Sequence, residues 1–259
     1  MRRFLRKIIP RFLRSAIKKA INFLLYYRDY LTFKKLNDNR LTISFRDRYL
    51  CLKDRVSSTS FDSHYLYHTA WAARILASTK PKEHIDIGSC LRFVSIVSAF
   101  VAFRFFDFRP PNLKLSNLQS EHANITSLPF NGNSVKSLSC MHVLEHIGLG
   151  RYGDQLDPIG DIKAAKELER VLAKGGQLLF VVPVSGKPRI HFNAHRIYSF
   201  DMIIDMFSDL KLIEFSLIPD NANNIGIILN ATKNQANEQK YGCGCFWFMK
   251  KLTSSNNKL

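Results

Sequence analysis

The chain has 259 residues, 46% hydrophobic, 23% charged and 12% aromatic, enough apolar material for one sizeable core and too much for a disordered chain. Twelve glycines and nine prolines exclude collagen-like and Pro-rich architectures, and five cysteines, an odd number, make no disulfide framework and favour a reducing compartment. The net charge of +17 is uneven: residues 1 to 20 hold eight Lys or Arg and no acid, which directs that segment toward an acidic partner surface.

In the first segment apolar pairs recur four apart: Phe4-Leu5, Ile8-Ile9, Phe12-Leu13, Ala16-Ile17, Ala20-Ile21 and Leu24-Leu25. Helical spacing gathers such pairs into a stripe with the cations on the other face. Pro10 is expected to break the run into a short helix and a longer one. Residues 1–27 as a basic amphipathic helix suit an anionic membrane surface, each cation contributing about 1 kcal/mol before screening. The alternatives are a stripe packed on its own domain and a protein or nucleic-acid partner. Nucleic acid is not expected, because no recognisable binding module follows. No signal region with a small-residue cleavage site is present, and no run of about 18 uncharged apolar residues. The expected location is cytoplasmic and peripheral to the membrane. The expected organisation is a basic helical extension and linker over 1–59, a main domain over 60–250 and a loose tail over 251–259.

From about residue 60 the pattern changes. Asp62 is placed to cap a helix through Tyr65, Trp71 and Leu76 that ends at Lys80-Pro81. His84 to Gly88 reads as a short strand ending in an acid and a glycine, residues 91 to 99 as a helix, and Val101 to Phe106 as a second strand ending at Asp107. Val135 to Val143 reads as a strand. Asp161 opens an amphipathic helix through Leu172 that Gly175-Gly176 stops. Gln177 to Val184 is apolar on both faces, the mark of a sheet covered by helices on both sides. A helix at about 199 to 208 and strands at about 211 to 218 and 225 to 233 follow. The aromatic stretch Tyr241 to Met249 either packs back on the domain or shares a surface with residues 1–27. Strands alternating with helices predict an α/β doubly wound, mostly parallel sheet.

In such a sheet ligands bind beyond the carboxyl ends of the strands. Gly88 closes the first strand, where a small residue lets a ligand approach the backbone. Asp107, 21 residues after Asp86, is placed to accept hydrogen bonds from two ribose hydroxyls. Ala123 to Phe130 resembles the third-strand exit of class I methyltransferases, with Asn124 where Asp is usual. Ser139 to His146 resembles their fourth strand and following turn, and Leu168 to Val182 their helix and fifth strand. Together these resemble an S-adenosylmethionine-dependent methyltransferase domain over about residues 80 to 233, a seven-stranded Rossmann-like sheet. The strings Gly148 to Asp154, Asp157 to Asp161, Val182-Pro183-Val184 and Phe192 to Tyr198 are more specific. With His64-Tyr65, Trp71 and Tyr241 to Gly244, they resemble the methyltransferase-like family called domain of unknown function 268 over most of residues 60 to 250. The resemblance implies S-adenosylmethionine as cofactor, held by Asp86, Gly88, Asp107 and Asn124, and a setting in surface-polysaccharide synthesis; it does not supply the substrate, for which a glycan or glycolipid is the expectation.

The first-strand loop departs from the usual pattern of two or three glycines: it is Gly88-Ser89-Cys90-Leu91-Arg92. A Cβ at these positions crowds the backbone approach and disfavours positive φ. Two readings therefore stand: a methyltransferase acting on a sugar or related acceptor, and a non-catalytic scaffold or binding protein at the membrane surface. Methyl transfer to a hydroxyl needs the acceptor oxygen in line and a base for its proton. His146 and His195 are the candidates for that role, and Glu145, Asp154 and Arg196 for substrate contacts. Asp161 also suits a helix N-cap, and His195-Arg196 a structural network with Asp154 or Asp157. His142-x-x-Glu145-His146 matches the pattern of inverted zinc peptidases, whose histidines share one helix face. A β-like run precedes it and Gly148-Leu149-Gly150 ends it, so no such helix and no metal are expected. Cys243-Gly-Cys245 lacks a second thiol pair and reads as buried or surface thiols. No G-x-G-x-x-G follows the first strand, which disfavours a nicotinamide dehydrogenase.

Overall fold

The computed structural model describes residues 10–252 and divides the chain into two compact units, 1–60 and 61–259. The expected helix before Pro10, with Phe4-Leu5 and Ile8-Ile9, and the tail from 253 onward lie outside the described residues. In the first unit α1 spans Arg11–Leu36. Pro10 stands at its N-cap, where the missing N–H costs no intrahelical bond. Leu13, Ile17, Ile21, Leu24 and Leu31, at helical spacing, are all exposed. Within this unit Asn22 Nδ2 donates to Leu52 O at 2.7 Å, and Asp29 pairs with Arg55. No helix among the described residues is long and apolar enough to cross a membrane.

The second unit is a seven-stranded sheet between two layers of helix. In chain order it comprises α2 (Ser63–Thr79), β1 (Glu83–Ile87), α3 (Leu91–Val97), β2 (Ala102–Asp107), β3 (Leu118–His122), β4 (Val135–Met141), α4 (Gly160–Val171), β5 (Leu172–Val184), a hairpin of β6 (Arg189–His191) and β7 (His195–Ile197), α5 (Phe200–Met206), β8 (Leu210–Ile218), α6 (Ala222–Ile225), α7 (Lys233–Asn237) and β9 (Gly242–Lys250). The sheet runs β3-β2-β1-β4-β5-β9-β8. The first five strands are parallel, and β9 is antiparallel to both β5 and β8. Side chains alternate across a strand, so β5 serves both faces. Leu178, Phe180 and Val182 join Ala164, Leu168 and Ile203 of α4 and α5 on one face. Leu179 and Val181 join Trp71, Ile75, Leu76 and Phe93 of α2 and α3 on the other. Asp62 Oδ1 accepts from Tyr65 N at 3.2 Å, which starts α2 as its cap, and Lys80 closes that helix in the left-handed conformation.

Three local readings change. No strand forms at 225 to 233. The Asn-rich turn just before it makes α6, and the segment meets β8 through an isolated bridge of Ile228 to Leu217 and a bond from Ala231 N to Phe215 O. The seventh strand is instead the aromatic stretch, which packs into the domain between β5 and β8 with Cys243, Cys245, Phe246 and Phe248 buried. Gly244 is required at that crossing, since a Cβ would sit 2.7 Å from Val184 Cγ1. Helix α4 ends at Val171, before the two glycines. Leu172 already pairs with Val135, and Gly175-Gly176 lie in the irregularity before Gln177 pairs with Ser137. Asp161 is not the cap of α4. That position is Ile159, and the Asp161 carboxylate is used by Tyr198, whose hydroxyl donates to Oδ2 at 2.9 Å.

Candidate functional site

The parallel strands β1, β2 and β4 end at one rim of the sheet. Gly88 lies there with φ of +68° and donates its N–H to Phe106 O at 2.8 Å. A Cβ at this position would meet Val143 at 3.1 Å and stand 3.6 Å from Asp107 Oδ2. The residues after it need no positive φ, which was the steric objection to Ser89 and Cys90. Ser89 is buried and turned under the rim, its Oγ accepting from Met141 N at 3.1 Å.

A buried chain of hydrogen bonds supports this loop. Ser89 N donates to Asp86 Oδ1 at 2.9 Å, and Ser139 Oγ donates to Asp86 Oδ2. Because that hydroxyl proton is committed to the carboxylate, Ser139 Oγ accepts from His84 Nε2 at 2.8 Å. His84 Nδ1 then accepts from Ser137 Oγ at 2.7 Å, and Ser137 accepts from Gln177 Nε2 at 3.0 Å. Burial pushes His84 down to about 3 and Asp86 up to about 6. Asp86 therefore does not line the ligand space as the sequence suggested. It positions the loop from below.

Above the rim lies a cavity of about 490 Å³, within the usual range for small-molecule sites. Gly88, Asp107, Asn124 and His146 line it, together with Phe106, Val143 and Tyr152. Cys90 and Leu91 are not in its wall. Asp107 Oδ1 accepts from Arg109 N at 2.6 Å, which fixes the carboxylate at the end of β2. Asn124 Oδ1 accepts from Thr126 N and Oγ1 at 3.0 and 2.9 Å, so the amide is held in the turn after β3. Asp154 also borders the cavity, but both its oxygens bind its own loop, at Gly148 N (2.7 Å) and Tyr152 N (3.2 Å). Arg196, a candidate substrate contact in the sequence, is in the wall of neither this cavity nor the pocket beside it. It is buried and donates to Ile147 O at 2.6 Å and toward Asp157 O and Pro158 O, with Asp161 Oδ2 3.5 Å from Nε. One guanidinium thereby satisfies several carbonyls of the 147–158 loop.

A second, polar pocket of about 370 Å³ adjoins the first, and His142, His146 and Tyr152 wall both. It brings together Glu145, His146 and His195, three of the candidate site residues of the sequence, with His64, Tyr65, Arg151 and Tyr241, which the sequence offered only within family motifs and without a role. His146 Nδ1 lies 2.6 Å from Ala194 O. A carbonyl only accepts, so Nδ1 carries the proton and, in the neutral ring, Nε2 keeps a free lone pair. Glu145 is buried, with Oε1 2.8 Å from His142 Nδ1 and 3.9 Å from His146 Nε2. Burial pushes its carboxyl up to about 7 and holds His64 and His142 down at about 4. His146 and His195 are lowered for the same reason. His195 Nε2 is buried without a hydrogen-bond partner among the described residues.

A sheet of this order, with the last strand antiparallel, is the class I methyltransferase-like, Rossmann-like fold. Residues 120–243 match the model of the family described as "Caenorhabditis protein of unknown function, DUF268". The match is shorter than the 60 to 250 span of the motifs. No protein of curated function matches the chain. Among solved structures it is similar to 1,6-didemethyltoxoflavin-N1-methyltransferase of Burkholderia thailandensis, bound to 1,6-didemethyltoxoflavin and S-adenosylhomocysteine. The identity is 12%, with 71% of this chain and 79% of that one covered and a TM-score of 0.52. It is also similar to a Galdieria sulphuraria protein described as a candidate sarcosine dimethylglycine methyltransferase, at 12% identity, 72% and 85% coverage and a TM-score of 0.50. These likenesses establish the fold.

Proposed function

We propose that the chain is an S-adenosylmethionine-dependent methyltransferase whose acceptor is a hydroxyl of a sugar or related glycan in surface-polysaccharide synthesis. The carrying observation is the pair of adjoining spaces that share His146: a cavity fitted to a nucleoside and a polar pocket fitted to a hydroxylated acceptor. The cavity's fit to the cofactor is supported by the bare backbone of Gly88 in its wall: a Cβ there would press on Val143 at 3.1 Å and stand 3.6 Å from Asp107 Oδ2. Asp107 would accept from the ribose hydroxyls, Gly88 would admit the chain's closest approach, and Asn124 would border the base. When bound, S-adenosylmethionine supplies an electrophilic methyl group. His146 Nε2 accepts the acceptor's hydroxyl proton, and the Nδ1–H bond to Ala194 O holds the ring in the tautomer that can do so. Arg151, Tyr152 and His195 orient the acceptor through polar contacts. The exposed stripe of α1, flanked by Arg14, Lys18 and Lys19, supports the reading that residues 1–27 rest on an anionic membrane surface, where a glycolipid acceptor would be met.

Calorimetric titration of the full-length protein with S-adenosylhomocysteine tests this. Saturable one-to-one binding is expected. Two charge-assisted hydrogen bonds lost in Asp107→Ala would weaken it by about 3 kcal/mol, roughly 100-fold, with the melting temperature nearly unchanged. Folded protein that shows no saturable binding rejects the reading.

A further inference from the structure

Three residues far apart in sequence meet beside the polar pocket: His64 in the first turn of α2, His142 just past β4, and Cys243 in β9. One imidazole nitrogen from each histidine and Cys243 Sγ all lie within 4.8 Å of one another. His142 Nε2 is 3.4 Å from Cys243 Sγ, close to the roughly 3.5 Å that nitrogen and sulfur ligands subtend at a tetrahedral zinc ion. The other nitrogen of the same ring, Nδ1, is 2.8 Å from the buried Glu145 Oε1. A carboxylate behind a ligating imidazole is the arrangement that fixes ring orientation and tautomer at metal sites. The second oxygen, Glu145 Oε2, is buried with no hydrogen-bond partner among the described residues.

We propose that His64, His142 and Cys243 bind one divalent cation of the zinc class, with Glu145 positioning His142. Two imidazoles and a thiolate select zinc, cobalt or copper over magnesium or calcium. Binding forms two metal–nitrogen bonds and one metal–sulfur bond, and the Cys243 thiol proton leaves to solvent. His64 and His142 border the polar pocket while Cys243 lies buried behind them. The fourth coordination position therefore faces the pocket, as in zinc sites that keep one place for water or an acceptor oxygen. Burial of Cys243 also argues against the competing use of a Cys–His–Glu line, an attacking thiolate, because no substrate carbon reaches it. This site is independent of methyl transfer and stands or falls on metal binding alone.

The test is titration of full-length protein, first stripped with chelator, with cobalt(II), read by absorption. The expected result is one cobalt per chain with a sulfur-to-cobalt charge-transfer band and the visible bands of a tetrahedral ion, both displaced by zinc. Cys243→Ser is expected to lose the charge-transfer band while keeping the far-ultraviolet circular dichroism of the parent. Glu145→Gln is expected to bind 10- to 100-fold more weakly with the band retained. Folded wild-type protein without the band, or a band that persists in Cys243→Ser, overturns the proposal. Rapid alkylation of Cys243 by iodoacetamide in the stripped protein, unaffected by zinc, overturns it in favour of a reactive thiol.

Discussion

Replacing His84 with Gln isolates the buried chain under the Gly88 loop. The amide can still accept from Ser137 and donate to Ser139, but it does not titrate. In the native protein His84 has a folded value of about 3 against 6.5 when unfolded. The unfolded state therefore binds the extra proton, and stability from this group is full above about pH 6.5 and is lost as pH falls toward 3. Between pH 7.5 and 4.5 the loss integrates to roughly 2–3 kcal/mol. Asp86 acts with the opposite sign: its folded value of about 6 exceeds its unfolded 3.8, so acidification over the same interval returns about 2 kcal/mol. The wild type thus hides one effect behind the other. In His84→Gln only the Asp86 gain remains of this pair, and contributions from the other buried histidines cancel in the comparison. Urea unfolding followed by the fluorescence of Trp71 and Trp247, both in the 61–259 unit, reads the difference. The fall in unfolding free energy from pH 7.5 to 4.5 is expected to be larger in wild type than in His84→Gln by roughly 2–3 kcal/mol. Equal acid dependence within about 0.5 kcal/mol would refute the assigned proton order.

Removing the proposed base in His146→Gln should lower kcat by about 100-fold or more with S-adenosylhomocysteine affinity unchanged; an unaltered kcat would dismiss His146 from proton transfer. In Gly88→Ala the left-handed backbone and the close Val143 methyls should cost about 1–2 kcal/mol of stability and also weaken S-adenosylhomocysteine binding. A variant that melts and binds like the parent would show that the rim does not need an open glycine. Full-length protein should co-sediment with anionic vesicles and do so less as salt rises, while a chain beginning at residue 28 should stay in the supernatant. Equal pelleting of the two would remove residues 1–27 from membrane contact.

The strands that carry the rim were legible because each reports itself locally. His84 to Gly88 and Val101 to Asp107 are short apolar runs ended by an acid or a glycine, and the structure puts Gly88, Asp107 and Asn124 on one cavity. Elements defined by distant partners were not legible. Gly242 to Lys250 reads as an aromatic tail until β5 and β8 are seen to lack a strand between them. Arg196 reads as a substrate contact or as a member of a network with Asp154 or Asp157 until several carbonyls of the 147–158 loop are seen to converge on it. The histidine cluster escaped for the same reason. His142 was judged against His146, its neighbour in a helical motif, whereas the chain after β4 makes only a short 3-10 turn at Leu144–His146. The ring instead meets His64 and Cys243, which helix α2 and strand β9 deliver from either side of the sequence. The signal available in advance was that His64-Tyr65 and Tyr241 to Gly244 stand among the family strings, which marks the residues without showing that the fold brings them together.

The placement of β9 has a consequence for how the domain is made. β5 and β8 emerge from the ribosome well before residues 242–250, and until then each presents an unpaired edge where its partner will lie. The nascent domain must therefore wait with a slot through its sheet, vulnerable to capture by strands of other chains. Closing the slot delivers Cys243 to the histidines in the same movement, so completion of the sheet and assembly of the pocket floor are one event in biosynthesis.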